Sequence, residues 1–162
     1  TFYTNAGSTR RYGLESALTW HPASAFTARM AYTFSDFLYT DIKSVFGTFT
    51  DKVMPNAPRH QLFADVEYRA GTHWIFGLAV QGQSSWYVDQ TNTASADGFV
   101  LLDPRIVYRL SGRGSHMEIL LQALNVTGTE YIAFTEPDPD GNSYQPGPTA
   151  EVFLGARVYF GK

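Results

Sequence analysis

"LLQALNVTGTEY", residues 120–131, begins as a strand and is then interrupted. The alternation of Leu121 and Ala123 about Gln122 should continue, yet the pattern breaks at Asn125-Val126-Thr127-Gly128-Thr129-Glu130 before an aromatic, Tyr131, returns. What such a break means depends on the kind of sheet around it. The flanking sequence supplies that context.

Period-two alternation recurs along the chain with almost no helical spacing, and seven strands can be read. The first sets Tyr12, Leu14, Leu18 and Trp20 against Gly13, Glu15, Ala17 and Thr19. The second opposes Phe26, Ala28, Met30, Tyr32 and Phe34 to Thr27, Arg29, Thr33 and Ser35. In the third, Leu62, Ala64, Val66 and Tyr68 face away from Gln61, Asp65, Glu67 and Arg69. The fourth alternates Trp74, Phe76, Leu78 and Val80 with His73, Gly77, Ala79 and Gln81. The fifth opposes Val100, Leu102, Ile106, Tyr108 and Leu110 to Asp103, Arg105 and Arg109, with Pro104 predicting a local bulge because it lacks a ladder donor. Met117, Ile119, Leu121 and Ala123 oppose Glu118 and Gln122 in the sixth. The last runs Val152, Leu154, Ala156, Val158 and Phe160 against Glu151, Gly155, Arg157 and Tyr159. No charged residue falls on an apolar face.

Alternation alone fits a soluble sandwich or a membrane barrel, since both bury one face. Two features favour the barrel. Connections are short at "HPAS", "AGTH" and "SGRGSH" but long at 36–58, 87–98 and 131–149. Short turns at one rim and long loops at the other are a barrel pattern. In addition, Trp20, Phe26, Tyr68, Trp74, Tyr108 and Phe160 lie on the apolar face at the short-turn ends, as in an interfacial girdle. A sandwich would crowd such rings at its centre.

Composition narrows the functions. The 162 residues carry 15 acidic and 12 basic side chains, for a formal charge of -3, and no Lys/Arg cluster tracks phosphates, so no nucleic-acid partner is expected. Cysteine is absent, which removes a disulfide framework and a thiolate metal site. That fits a cytosolic protein, and equally a sheet that closes without staples. The longest apolar run, Trp74 to Val80, is far short of the roughly 20 residues of a transmembrane helix. No signal peptide begins at Thr1, and the opening "TFYTNAGSTRRYG" starts mid-pattern, as expected of a fragment or processed product.

No catalytic constellation is found, and no enzyme or cofactor is expected. His21, His60, His73 and His116 fall in or beside turns and strand starts without ligand-like spacing. No Gly-x-Ser-x-Gly elbow occurs. "DPDGN" resembles the start of a calcium loop, but Thr149 stands where the bidentate Glu belongs, so a surface turn is expected and no metal site. Asn125-Val126-Thr127 is formally a glycosylation sequon. "GSHM" at 114–117 resembles a cloning scar, although its place in a short turn favours coincidence or an engineered junction.

Several pieces together carry a resemblance. "LLQALNVTGTEY" resembles the penultimate-strand motif of TonB-dependent outer-membrane receptors, an Asn-Leu followed by a Tyr, with Val126 in place of the Leu. "NAGSTRRYGLE", "AYTFSD", "MPNAPRHQL", "LLDPRIVYRL" and "VFLGARVYF" follow in family order. Ala150 and Glu151 stand where the family carries an Arg, and Gly161 and Lys162 follow the terminal aromatic.

The resemblance implies that residues 1–162 are the C-terminal part of a roughly 22-stranded barrel wall, without the plug domain. It implies a bacterial outer-membrane location and uptake of a scarce ligand, a ferric siderophore first, with haem, cobalamin or oligosaccharide as alternatives. The partners implied are outer-membrane lipid, the receptor's own plug and, through the missing N-terminal part, the TonB energising complex. Glu15, Arg29, Asp65, Glu67, Arg69, Asp103, Arg105, Glu118 and Arg157 would then point into the lumen and toward the plug. The long loops hold Phe37, Tyr39, Phe46 and Phe49, then Trp86 and Tyr87, then Phe134 and Tyr144. Such rings form a platform for a small-molecule ligand or pack the loops against each other. At the opening stretch, Asn125 and Gly128 would permit a bulge or turn at the far interface, with Asn side-chain groups satisfying freed backbone and Tyr131 returning a ring to the sheet. A passive porin-like barrel and a soluble β-sandwich binding module are the rival readings.

Overall fold

Alternation with a period of two places side chains on opposite faces of a pleated ribbon, and the chain forms a sheet on that rule. The computed structural model describes residues 7–44, 47–112, 115–136 and 140–160. Its strands are β1 (Gly7–Ala23), β2 (Phe26–Ser44), β3 (Gly47–Phe49), β4 (Lys52–Val53), β5 (His60–Ala70), β6 (Trp74–Gln83) and β7 (Trp86–Tyr87). These are followed by β8 (Ser95–Ala96), β9 (Phe99–Gly112), β10 (Ser115–Leu124), β11 (Ile132–Glu136), β12 (Ser143–Pro146) and β13 (Glu151–Phe160). The main sheet is antiparallel in the order β1-β2-β5-β6-β9-β10-β13, with β3 and β4 folding back onto β2. β7 pairs with β8 and β11 with β12 in the connections.

All seven facings read from the sequence hold. Leu18, Met30, Ala64, Val80 and Leu102 stand in one cross-strand row. Thr19, Arg29, Asp65, Ala79 and Asp103 form the adjacent row on the other face. Among the described residues no second layer covers the apolar face: Leu14, Leu18, Leu121 and Leu154 are all exposed. A soluble sandwich would bury that face. The one hydrophobic cluster among the described residues is Trp86, Val88 and Ala96, which lies under the long connections and not between sheets.

The aromatic girdle is also present. Trp20 meets Phe26 edge-on at 6.3 Å, Phe26 pairs with Tyr68, and Tyr68 pairs with Phe76. Phe76 stacks with Trp74 at 6.1 Å, and Trp74 packs against Tyr108 at 4.5 Å. The row follows the rim where Ser24–Ala25 and Gly71–His73 make short turns. Gly71, at φ 66, supplies the left-handed residue that the second turn needs.

Three expectations need correction. The first two strands are longer than the alternation suggested, at 17 and 19 residues, because β1 and β2 stay paired as a ribbon beyond the rest of the sheet. Residues 36–44, expected as part of the 36–58 loop, therefore belong to β2. Pro104 produces no bulge: β9 pairs with β6 in unbroken register from Phe99 to Tyr108. The missing N–H acts on the other neighbour. Leu102 O accepts from Val126 on the β10 side and Arg109 N donates to His73 on the β6 side, so even-numbered backbone groups of β9 point to β10. The β9–β10 ladder accordingly stops at Arg105↔Gln122, one step before Pro104.

Candidate functional site: the polar face and the interlocked loops

On the polar face, charges of opposite sign meet along β5, across the β2–β5 and β9–β10 pairs, and from β9 over β6 to β5. Asp65 accepts from Arg105 Nη1 at 2.6 Å and from Arg29 Nη1 at 3.2 Å. Arg105 Nη2 also reaches Glu67 at 3.5 Å, and Arg69 Nη2 closes on the same carboxylate at 3.0 Å. Gly77, the cross-strand partner of both Glu67 and Arg105, makes this possible: a Cβ there would lie 2.5 Å from the guanidinium carbon. Arg109 Nε bonds Glu118 at 2.8 Å, and Arg157 donates to the Tyr159 hydroxyl at 3.1 Å. Glu15 shares the face, exposed and opposite Thr33. Seven of the nine predicted polar-face charges are thus displayed on an accessible surface; Asp65, enclosed by Arg29 and Arg105, and Asp103 are buried.

Asp103 is covered because the broken strand uses it. Its Oδ1 accepts the backbone N–H of Asn125 at 2.7 Å. Asn125 adopts φ 47, a left-handed conformation that Asn tolerates better than most residues. Its Oδ1 accepts Thr129 N–H at 2.9 Å, and its Nδ2 donates to Thr129 O at 2.8 Å and Pro148 O at 3.2 Å. Gly128 N–H closes the turn on Asn125 O at 2.8 Å. The Asn125 side chain therefore ties its own turn together and to Pro148, while Asp103 Oδ1 and Leu102 O hold the turn to β9. Being buried at 3% exposure, Asn125 is no glycosylation acceptor in this fold. Tyr131 returns as expected: its ring lies 4.4 Å from Phe99 and directly over Gly147, where a Cβ would meet it at 2.0 Å.

The loop aromatics divide. Tyr39, Phe49 and Trp86 are buried, so they pack the connections and offer no open platform. Tyr87, Phe134 and Tyr144 are exposed, and Phe46 lies outside the described residues. Polar groups that the sequence did not single out fasten the connections. Thr135, 1% exposed, accepts the Trp86 indole N–H at 3.1 Å and donates to Asn56 Oδ1. Asn56 returns Nδ2 to Thr135 O at 2.9 Å and gives its backbone N–H to Tyr87 O at 3.0 Å. Asn92 pairs with both backbone groups of Val53 at 2.8 Å. Asp89 organises its own turn. Burial pushes its carboxyl up, but bonds from the Thr91 and Thr93 hydroxyls and the Ala94 and Thr93 N–H groups prevail and hold it down at about 2.

Two clefts open between these connections. One, of about 440 Å³, is lined by Ser35, Ser84, Tyr87 and the Arg59–Asp36 ion pair, 2.6 Å long. The other, of about 490 Å³, is lined by Asp97, Glu130, Tyr131 and Tyr144. Phe134 faces a smaller recess beside Asn56 and Thr135. Among the described residues no three His, Cys, Asp or Glu side chains gather as metal ligands.

An antiparallel sheet with a bare apolar face, an aromatic rim and a charged opposite face is the wall of a membrane β-barrel. Residues 1–127 match the family described as TonB dependent receptor-like, beta-barrel, and the chain belongs to that family. Among solved structures it is similar to the ferric yersiniabactin uptake receptor FyuA from Yersinia pestis (17% identity, TM-score 0.81, 96% of this chain and 24% of that one). It is similar too to the siderophore receptor PiuA from Acinetobacter baumannii (16%, 0.79, 93% and 22%). The unliganded ferric citrate transporter FecA gives 20% identity and TM-score 0.78, over 93% of this chain and 24% of that one. At these identities the likeness shows the fold. The chain spans about a quarter of the length of the structures it matches.

Proposed function

We propose that this chain forms part of the barrel wall and extracellular loops of an outer-membrane receptor that imports a scarce ligand with energy from the TonB complex. The observation that carries the reading is the split between the two rims. One rim has short turns and a belt of exposed aromatics, and the other has long connections locked to one another above a charged face. The bare apolar face meets lipid. The polar face, with Asp65, Glu67 and Arg105 at its centre, lines the lumen and meets the receptor's plug. A ferric siderophore is the first ligand class, supported by the similar FyuA, PiuA and FecA folds. In this reading Tyr87 and Tyr144, exposed in the two clefts, and Phe134 are the rings that touch it, a role supported by their exposure.

The test uses the complete receptor in iron-starved cells offered radioiron-labelled citrate, catecholate and yersiniabactin complexes. Accumulation of one complex that is lost on gene deletion and abolished by a proton-motive-force uncoupler is the expected result. Accumulation that survives the uncoupler would replace this reading with a passive porin-like barrel. Cysteines at Gly47 and Gly71 test orientation: the first should label on intact cells and the second should not.

A further inference from the structure

The long connections fold toward one side of the sheet, and their contacts with β9 show which side. Leu101 and Asp103, on the polar face, are each 7% exposed, while Val100, on the apolar face between them and Phe99, is 55% exposed. What covers the polar side is the segment after β10. Asn125 docks on Asp103, and Tyr131 packs on Phe99, another polar-face residue. Ile132 continues into the cluster of Trp86, Val88 and Ala96, which brings in the connection between β6 and β9. Asn56, on the connection between β2 and β5, is bonded to both of the others through Tyr87 O and Thr135. All three connections thus meet at one hydroxyl.

We propose that Thr135 is the latch of a single cover, so that the three connections move over the mouth of the lumen as one body. A hydroxyl is suited to the position because it can accept and donate at once: it takes the Trp86 N–H and gives its own proton to Asn56. Each of these bonds spans two different connections, with sequence separations of 49 and 79 residues. Buried at 1% exposure, the group has no water to fall back on. Withdrawing any one connection therefore leaves polar groups of the other two unpaired, which favours joint movement. The proposal rests on the reading of the polar face as the lumen wall, but the latch itself is tested without it.

The experiment measures distances between spin labels on the complete receptor in lipid. Cysteines are introduced pairwise at exposed Thr48, Ser95 and Ser143, one on each connection. With Thr135 present, all three distance distributions are narrow. Thr135→Val, which keeps the shape and loses the hydroxyl, should broaden all three together by several ångströms, and Thr135→Ser should restore them. Trp86→Phe, which keeps a ring and loses the N–H, provides a milder second variant and should broaden the same three pairs less. Broadening confined to the pairs that include Ser143, or no broadening in either variant, overturns the latch. Labelling at Gly47 and Gly71 reports orientation separately, so a wrong topology and a missing latch give different results.

Discussion

The Asp103 carboxylate holds the backbone N–H of Asn125 at 2.7 Å, across the point where β10 stops pairing with β9. The stop has two causes on two strands. Pro104 withholds a donor on the β10 side, and Asn125 turns the chain into a left-handed conformation. Asp103 then supplies an acceptor for an amide that would otherwise be buried and unpaired.

Removing either half should loosen the loop. Asp103→Ala leaves that N–H without a partner and should cost about 1–3 kcal/mol. At Asn125 two substitutions separate two effects. Asn125→Gly keeps the favoured φ but loses the side-chain bonds to Thr129 and Pro148, while Asn125→Ala loses both. Alanine should therefore be the worse by about 1 kcal/mol. Urea unfolding of the complete receptor in lipid vesicles measures the difference, and equal costs would show that backbone conformation plays no part.

Leu121 and Gln122 test the facing of the sixth main strand. Leu121 pairs with Ile106 and Leu154 on the apolar face, and Gln122 pairs with Arg105 on the polar one. Leu121→Arg should cost about 2–4 kcal/mol in a bilayer, since it sets a charge in hydrocarbon. Gln122→Arg should cost much less, the penalty being like charge beside Arg105, about 0.2–1 kcal/mol. Similar losses for the two in a lipid-vesicle stability assay would refute the register.

The facings were legible because one face must be apolar over the whole width of a bilayer, and a single misplaced charge such as Glu67 or Arg109 would reveal a wrong register. The break at Asn125 was legible in outline for a similar reason, as Asn and Gly are residues that turns require. Asp103's part in it was not, since the sequence shows a charge on the polar face and says nothing of what covers it. Asn56 and Thr135 look like ordinary loop residues, and their partnership spans 79 positions. Ribbon length also escaped the pattern: β1 and β2 extend by pairing with each other, and pairing through backbone groups leaves no mark on side-chain alternation.

The turn around Asp89 should be acid-sensitive. Its carboxyl is held down to about 2, below the ordinary 3.8, by bonds that only the ionised form accepts in full. A depressed folded value means that the stabilisation is present above about pH 4 and is lost as pH falls toward 2. Because the group is partly open to solvent, the contribution is held to about 1 kcal/mol. Amide exchange of Thr93 and Ala94, corrected for intrinsic rates, should rise through that window. Asp89→Asn should flatten the pH dependence, and an unchanged profile would remove the carboxylate from the account.

Residues 1–162 expressed alone should not form a soluble, cooperatively folded monomer. The main sheet has two outer strands, β1 and β13, whose far sides pair with nothing among the described residues. In hydrocarbon each unpaired backbone group costs several kcal/mol, so an open sheet of this size does not span a bilayer by itself. Water is no better a solvent for it. Leu154 is 78% exposed and Phe160 86% exposed on the β13 edge, with Leu18, Trp20, Trp74 and Leu121 continuing the apolar face across the sheet. A contiguous patch of that extent associates, and the two edges offer strand templates for doing so. Light scattering and circular dichroism in detergent-free buffer should therefore show β-rich aggregates. Detergent should reduce the scattering by covering the face without supplying the missing strands. A monomer that unfolds in one sharp transition in plain buffer would mean that the apolar face finds a partner within the chain, and the lipid-facing reading would fall with it.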